Sequence, residues 1–147
     1  MKNKWLILTM VATTILAADI TEVAGKVFYD GKCGLCSKEI NYYKRIGPKN
    51  IFEWHDIATN PKVLREINVS QYDALMYLHA TDQKSNLKIG VDAFILIWAQ
   101  LKYWKILSIL VKTPIVYSIA KITYKLFANY RFKRLTHCQM ASQKVIY

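Results

Sequence analysis

Val27-Phe28-Tyr29-Asp30-Gly31-Lys32-Cys33-Gly34-Leu35-Cys36, continuing as Ser37-Lys38-Glu39-Ile40-Asn41-Tyr42-Tyr43, reads as a strand, a tight reversal and a helix, with a Cys-x-x-Cys pair at the handover. Val27 to Tyr29 are strand formers, Asp30-Gly31 is a turn signal, and apolar residues recur at helical spacing from Cys36 onward. The pair is therefore placed at a helix N-terminus. Unsatisfied N–H groups and the positive end of the helix dipole favour a thiolate there, and Lys32 adds a cation beside the first sulfur. These features predict that Cys33 is the more acidic and more exposed thiol, and that Cys36, one turn deeper, closes a disulfide with it. In that reading Cys33 attacks and Cys36 resolves.

Asp30, Cys33 and Cys36 match the Asp-Cys-Cys signature that gives the DCC family of thiol-disulfide oxidoreductases its name, and two further blocks follow in order. Gly90-Val91-Asp92-Ala93-Phe94 resembles the family's second block. Tyr124-Lys125-Leu126-Phe127-Ala128-Asn129-Tyr130-Arg131-Phe132 resembles its C-terminal block, with Cys138 shortly after. The resemblance covers the chain from about Lys26 to Gln139. It implies a thioredoxin-like α/β fold, with a small central mixed sheet, flanking helices and a helical C-terminal extension. It further implies exchange between the Cys33–Cys36 dithiol and protein or low-molecular-weight thiols and disulfides. The redox-active disulfide is then the only cofactor, no metal is needed, and Asp30, Gly31, Lys32 and Asp92 are supporting residues. Two features depart from thioredoxin. No Trp precedes Cys33, and no Pro precedes the expected third strand, where the residues are Val69-Ser70-Gln71-Tyr72-Asp73. Substrate docking is expected to differ, and Gly34-Leu35 between the cysteines leaves the direction of exchange open.

The composition suits one small domain: 147 residues, 53% hydrophobic and 21% charged. Three cysteines are too few for a disulfide scaffold, so a redox or metal role for the pair is favoured. Neither internal repeats nor a nucleotide-binding glycine loop, an HExxH or a GxSxG motif is present. The expected division is an apolar extension over 1–25, the domain over 26–140 and a tail over 141–147. Within the extension, Lys2 and Lys4 precede an uncharged run from Trp5 to Ala18, and Ala17-Ala18-Asp19 offers small residues for cleavage. Ile15 and Leu16 spoil the small-x-small pattern, and the run is short for a membrane span. A signal or anchor leading to export or the inner membrane, and an extension of a cytoplasmic protein, both stand as readings.

Periodicity predicts strands over Lys26–Tyr29, Ile51–Ile57, Ala74–His79 and Lys84–Ile89, the last two joined by a polar turn at Thr81-Asp82-Gln83. It predicts helices over Cys36–Ile46, ended by Gly47-Pro48, and from Asn60-Pro61 to about Ile67. Further helices run from an Asp92 N-cap through Leu101, over Trp104–Val111, and from Pro114 to about Phe132. A hairpin after a βαβ half is thioredoxin-like order.

After Asp92 the chain has no acidic residue but nine basic ones: Lys102, Lys105, Lys112, Lys121, Lys125, Arg131, Lys133, Arg134 and Lys144. On the last long helix Ser118, Lys121, Lys125 and Asn129 line one narrow face, and Ile115, Ile119, Ile122 and Leu126 are among the residues covering the rest. The plain reading is core plus a solvated stripe. The sharper one seats the domain on an anionic membrane surface. Nucleic acid is disfavoured, because the aromatics fall at helical core spacing and not on an exposed sheet. Lysines and Pro114 interrupt the apolar run from Phe94 to Ile119, which excludes a transmembrane hairpin.

His55 and His79 read as ordinary strand histidines. His137 and Cys138 could complete a Cys3His zinc set with the pair, but a hundred residues separate the two halves. Cys138 is otherwise a third redox thiol or an idle one. Asp30 is either a turn residue or a buried carboxylate that takes a proton from Cys36, and Asp92 is either an N-cap or a site residue. The functional alternative to exchange is a non-catalytic membrane-surface or partner-binding module with structural or zinc-binding cysteines.

Overall fold

The structure is a computed structural model describing residues 23–144. The signal-like run Trp5–Ala18 and the last three residues of the tail lie outside the described residues. Four strands form one sheet in the order β2-β1-β3-β4. β1 (Gly25–Tyr29) pairs in parallel with β2 (Phe52–Asp56) and antiparallel with β3 (His79–Asp82), and β3 pairs antiparallel with β4 (Leu87–Ile89). The parallel pair needs a crossover, which α1 (Gly34–Ile46) supplies; the β3–β4 hairpin then completes a thioredoxin-like mixed sheet.

β1 shows why its residues form a central strand. Val27 and Phe28 are both fully buried and point to opposite faces, each into its own core. Val27 meets Ile40 and Tyr43 of α1, and Ile97 of α3 (Val91–Ala99). Phe28 meets Leu75 of α2 (Gln71–Met76), together with Ala128 and Phe132 of α5 (Pro114–Arg134) and Cys138 of α6 (Thr136–Gln143). α4 (Lys105–Val111) lies between α3 and α5, where Val91, Ile95 and Val111 form a small third cluster.

The segment Ala74–His79 differs from its expected strand. Ser70 caps α2 instead: its hydroxyl accepts the Asp73 N–H at 3.0 Å and donates to the Asp73 carboxylate at 2.6 Å. This is a serine N-cap, which favours helix in the residues that follow. β3 consequently starts at His79, and Thr81-Asp82 belong to the strand. The hairpin loop follows them, organised by the Asp82 carboxylate, which accepts the N–H groups of Lys84 and Asn86 at 2.9 Å each. The segment after Pro61 is a 3-10 helix to Ile67, and Pro114 occupies the first turn of α5 as expected. Asp92 is not the cap of α3. Gly90 is, with φ +61, and an added Cβ there would press on the Tyr124 ring at 3.2 Å.

Candidate active site

Cys33 and Cys36 are joined by a disulfide, with their Cα atoms 5.2 Å apart. Helix α1 begins two residues earlier than periodicity suggests, so Cys33 itself is the N-cap. Its backbone is extended, its carbonyl accepts the Ser37 N–H at 2.9 Å, and its Sγ accepts the Cys36 N–H at 3.3 Å. Cys33 thus does with sulfur what Ser or Asp usually does with oxygen at this position.

That capping geometry reverses the expected exposure. Cys33 is 2% exposed, whereas Cys36, in the first turn, is partly open and Leu35 beside it protrudes. An N-cap side chain folds back over the helix start, and here the Cys33 side chain is buried while Gly34 and Leu35 of the first turn are exposed. Cys36 lines a pocket whose walls include Leu78, Phe94, Tyr124 and Phe127, with Glu39, Asp30 and Arg131 as its charged members. Tyr77 and Leu78 lead into β3, and neither is a proline. The Leu78 N–H donates to the Tyr124 hydroxyl at 2.9 Å, and burial pushes the pKa of that phenol up.

The turn before Cys33 is held by two carboxylates. Asp56, at the end of β2, accepts the Gly31 N–H at 2.9 Å and the Ala58 N–H at 3.0 Å. A Cβ on Gly31 would collide with that carboxylate. Asp30 accepts the Lys32 N–H at 3.1 Å, as a turn aspartate does. It is also 4% exposed and takes partners from the far end of the chain, namely Arg131 at 3.4 Å and His137 Nε2 at 2.8 Å. Asp30 is therefore both the turn residue and a buried carboxylate. Arg131 further donates to the carbonyls of Leu75 and Met76.

Cys138 is fully buried, with Sγ 3.7 Å from Asp30 and 3.6 Å from His137 Nε2. Burial, and then the Asp30 charge, push its thiol up to about 12. Among the described residues Asp30, His137 and Cys138 form the one group whose ligand atoms lie close enough to hold a metal ion, within 4.8 Å of one another. The set differs from the Cys3His combination of the sequence, because Asp30 stands in it and the disulfide pair does not. Arg131 already sits on the same Asp30 oxygen, so a cation at this group would compete with a guanidinium for that carboxylate.

Lys32 is exposed, with its N–H engaged by Asp30. Asp92 does not line the pocket of Cys36; its carboxylate accepts the Tyr117 hydroxyl at 3.0 Å. Sequence reasoning gave Arg131 and Asp56 no part in the site, and weighed His137 beside Cys138 as a zinc candidate disfavoured by spacing, not as the partner of Asp30. Arg131 lies inside the C-terminal block, and that block was the available signal. The three blocks in fact converge: Gly90 and Phe94 pack on Tyr124, with the Phe94 and Tyr124 rings 5.4 Å apart, and Arg131 reaches Asp30.

A family model described as DCC1-like thiol-disulfide oxidoreductase matches residues 27–136. An uncharacterized chloroplastic protein of Arabidopsis thaliana is 27% identical over 110 residues, covering 74% of this chain and 51% of the relative, so the chain spans about half the length of the curated protein it matches. No solved structure matches.

Proposed function

The chain belongs to the DCC1-like thiol-disulfide oxidoreductase family, and we propose that it exchanges the Cys33–Cys36 disulfide with thiols of proteins or small molecules, with Cys36 as the sulfur that meets the partner. The observation that carries this reading is the unequal burial of the two cysteines: Cys33 is enclosed and Cys36 opens on a pocket. A partner thiolate attacks Cys36 Sγ, the disulfide breaks, and its electron pair leaves on Cys33 Sγ. The Cys36 N–H and the start of α1 stabilise the departing thiolate. A second partner thiol then attacks the partner's sulfur in the mixed disulfide, releasing Cys36 as a thiol and a new partner disulfide. The reverse sequence reduces a partner disulfide, with the Cys33 thiolate expelling the partner from Cys36.

In this assignment Cys33 is the resolving residue and Cys36 the attacking one, the opposite of the order expected from helix position alone. Asp30, Gly31 and Asp56 position the loop that carries Cys33. The apolar walls of the pocket suit a partner cysteine flanked by an aliphatic or aromatic side chain. The test is equilibration of the full chain with glutathione buffers of graded redox ratio, followed by alkylation and mass spectrometry. Cys33 and Cys36 should lose their two protons together along one titration curve. A pair that stays fully reduced or fully oxidised at every ratio contradicts exchange.

A further inference from the structure

The outward faces of α4 and α5 are apolar. Ile106 and Ile109 on α4 are 76% and 61% exposed, and Ile115, Ile119, Ile122 and Leu126 on α5 are 75%, 59%, 63% and 67% exposed. On α5 the residues turned into the domain include Ala120, Tyr124, Ala128 and Arg131. At 3.6 residues per turn, Ile115, Ile119, Ile122 and Leu126 fall on the side opposite to these. The helix thus has two apolar faces, of which one is packed. Ser118, Lys121, Lys125 and Asn129 share a narrow flank between them.

Every charge on α4 and α5 is positive, and the Asp92 carboxylate of α3, which shares a pocket with Lys121 and Lys125, is bound by the Tyr117 hydroxyl. Of the nine Lys and Arg after Asp92, only Arg131 has an acidic partner within ion-pair distance among the described residues. Lys105 and Lys112 lie at the two ends of α4, and Lys121 and Lys125 flank the row on α5. The patch is aliphatic at its centre and cationic at its rim.

We propose that this face seats the protein on an anionic phospholipid surface, with α4 and α5 lying in the interface. Isoleucine and leucine side chains enter the acyl boundary, while the lysine stems reach out to headgroup phosphates. No single described helix is long and apolar enough to cross a membrane; α4 and α5 together are, by length and composition, but they meet at 97° and so do not make one straight span. Two other occupants fail on charge. A second copy would oppose one cationic rim to another, with no carboxylate on the helices of that face to relieve it. The chain's own apolar run, Trp5 to Ala18, brings Lys2 and Lys4 and has no acidic residue before Asp19.

The test is amide exchange read by mass spectrometry on the full chain, with vesicles of phosphatidylglycerol and phosphatidylcholine compared with phosphatidylcholine alone. Anionic vesicles at low salt should slow exchange over residues 105–126 by about tenfold or more, an effect that weakens as salt rises. The triple change Ile115→Ser, Ile119→Ser, Ile122→Ser should abolish that protection while leaving glutathione exchange unchanged. Protection confined to residues before Val23, or none, overturns the proposal. So does protection that grows with protein concentration in the absence of lipid, which would assign a second copy. Equal protection by polyglutamate without vesicles would assign an acidic protein and also overturn it.

Discussion

The carboxylate of Asp30 lies 2.8 Å from the Nε2 of His137, 107 residues further along the chain. With Arg131 on the same carboxylate, this contact fastens α5 and α6 to the turn that delivers Cys33. The C-terminal extension is therefore part of the wall behind the disulfide. Its loss would expose a buried carboxylate and open the core around Phe28.

Arg131→Met should destabilise the fold by about 3 kcal/mol, because it leaves Asp30 and the Leu75 and Met76 carbonyls short of a cationic donor in a buried site. Urea unfolding reads the change. Combined with Asp30→Asn the loss should fall short of the sum of the two single losses by about 1 kcal/mol or more, since both act on one network. Additive losses would show that the two groups are independent.

Gly31→Ala should cost about 2 kcal/mol, because the new methyl meets the Asp56 carboxylate, which is fixed by its own bonds to Gly31 and Ala58. In an Asp56→Ala background the same substitution should cost clearly less. An equal cost in both backgrounds would place the clash elsewhere.

Cys138 gives the fold a dependence on alkaline pH. Its thiol ionises near 9.0 as a free group and is pushed up to about 12 in the folded protein. A raised folded value means the stabilisation is fully present below pH 9.0 and is lost as pH rises toward 12. The unfolded chain then releases a proton that the folded chain retains. Over that window the slope attributable to this group is about 1.4 kcal/mol per pH unit. Urea midpoints of Cys138→Ala measured over the same window should decline less steeply than those of the parent. Parallel declines would remove Cys138 as the cause.

The local parts of the fold were legible in the sequence. Val27–Tyr29, the Cys pair at a helix start and Pro114 in a first turn depend on neighbours within a few residues, which is where propensity acts. The run Ala74–His79 was misread because a short apolar segment suits helix or strand equally, and the deciding Ser70–Asp73 capping pair lies just before it. Arg131 and His137 could not be matched to Asp30 from spacing, because α5 and α6 must first fold back across the sheet. The periodicity of α5 declared an apolar row at Ile115, Ile119, Ile122 and Leu126. Which face of that helix packs is a tertiary fact, and that row is the outer one. The burial of Cys33 was hidden for the same reason: helix position favours a thiolate there, but packing around the N-cap decides which sulfur is reachable.

The most direct measurement is mixed-disulfide trapping by single-cysteine variants. Reduced Cys33→Ser and Cys36→Ser proteins, each with Cys138 intact, are mixed with oxidised glutathione, and the adduct is followed by mass spectrometry. If Cys36 meets the partner and Cys33 resolves, Cys33→Ser forms a glutathione adduct at Cys36 about tenfold or more faster than Cys36→Ser forms one at Cys33, and that adduct persists for want of a resolving thiol. Faster trapping at Cys33 in the Cys36→Ser protein would contradict the account.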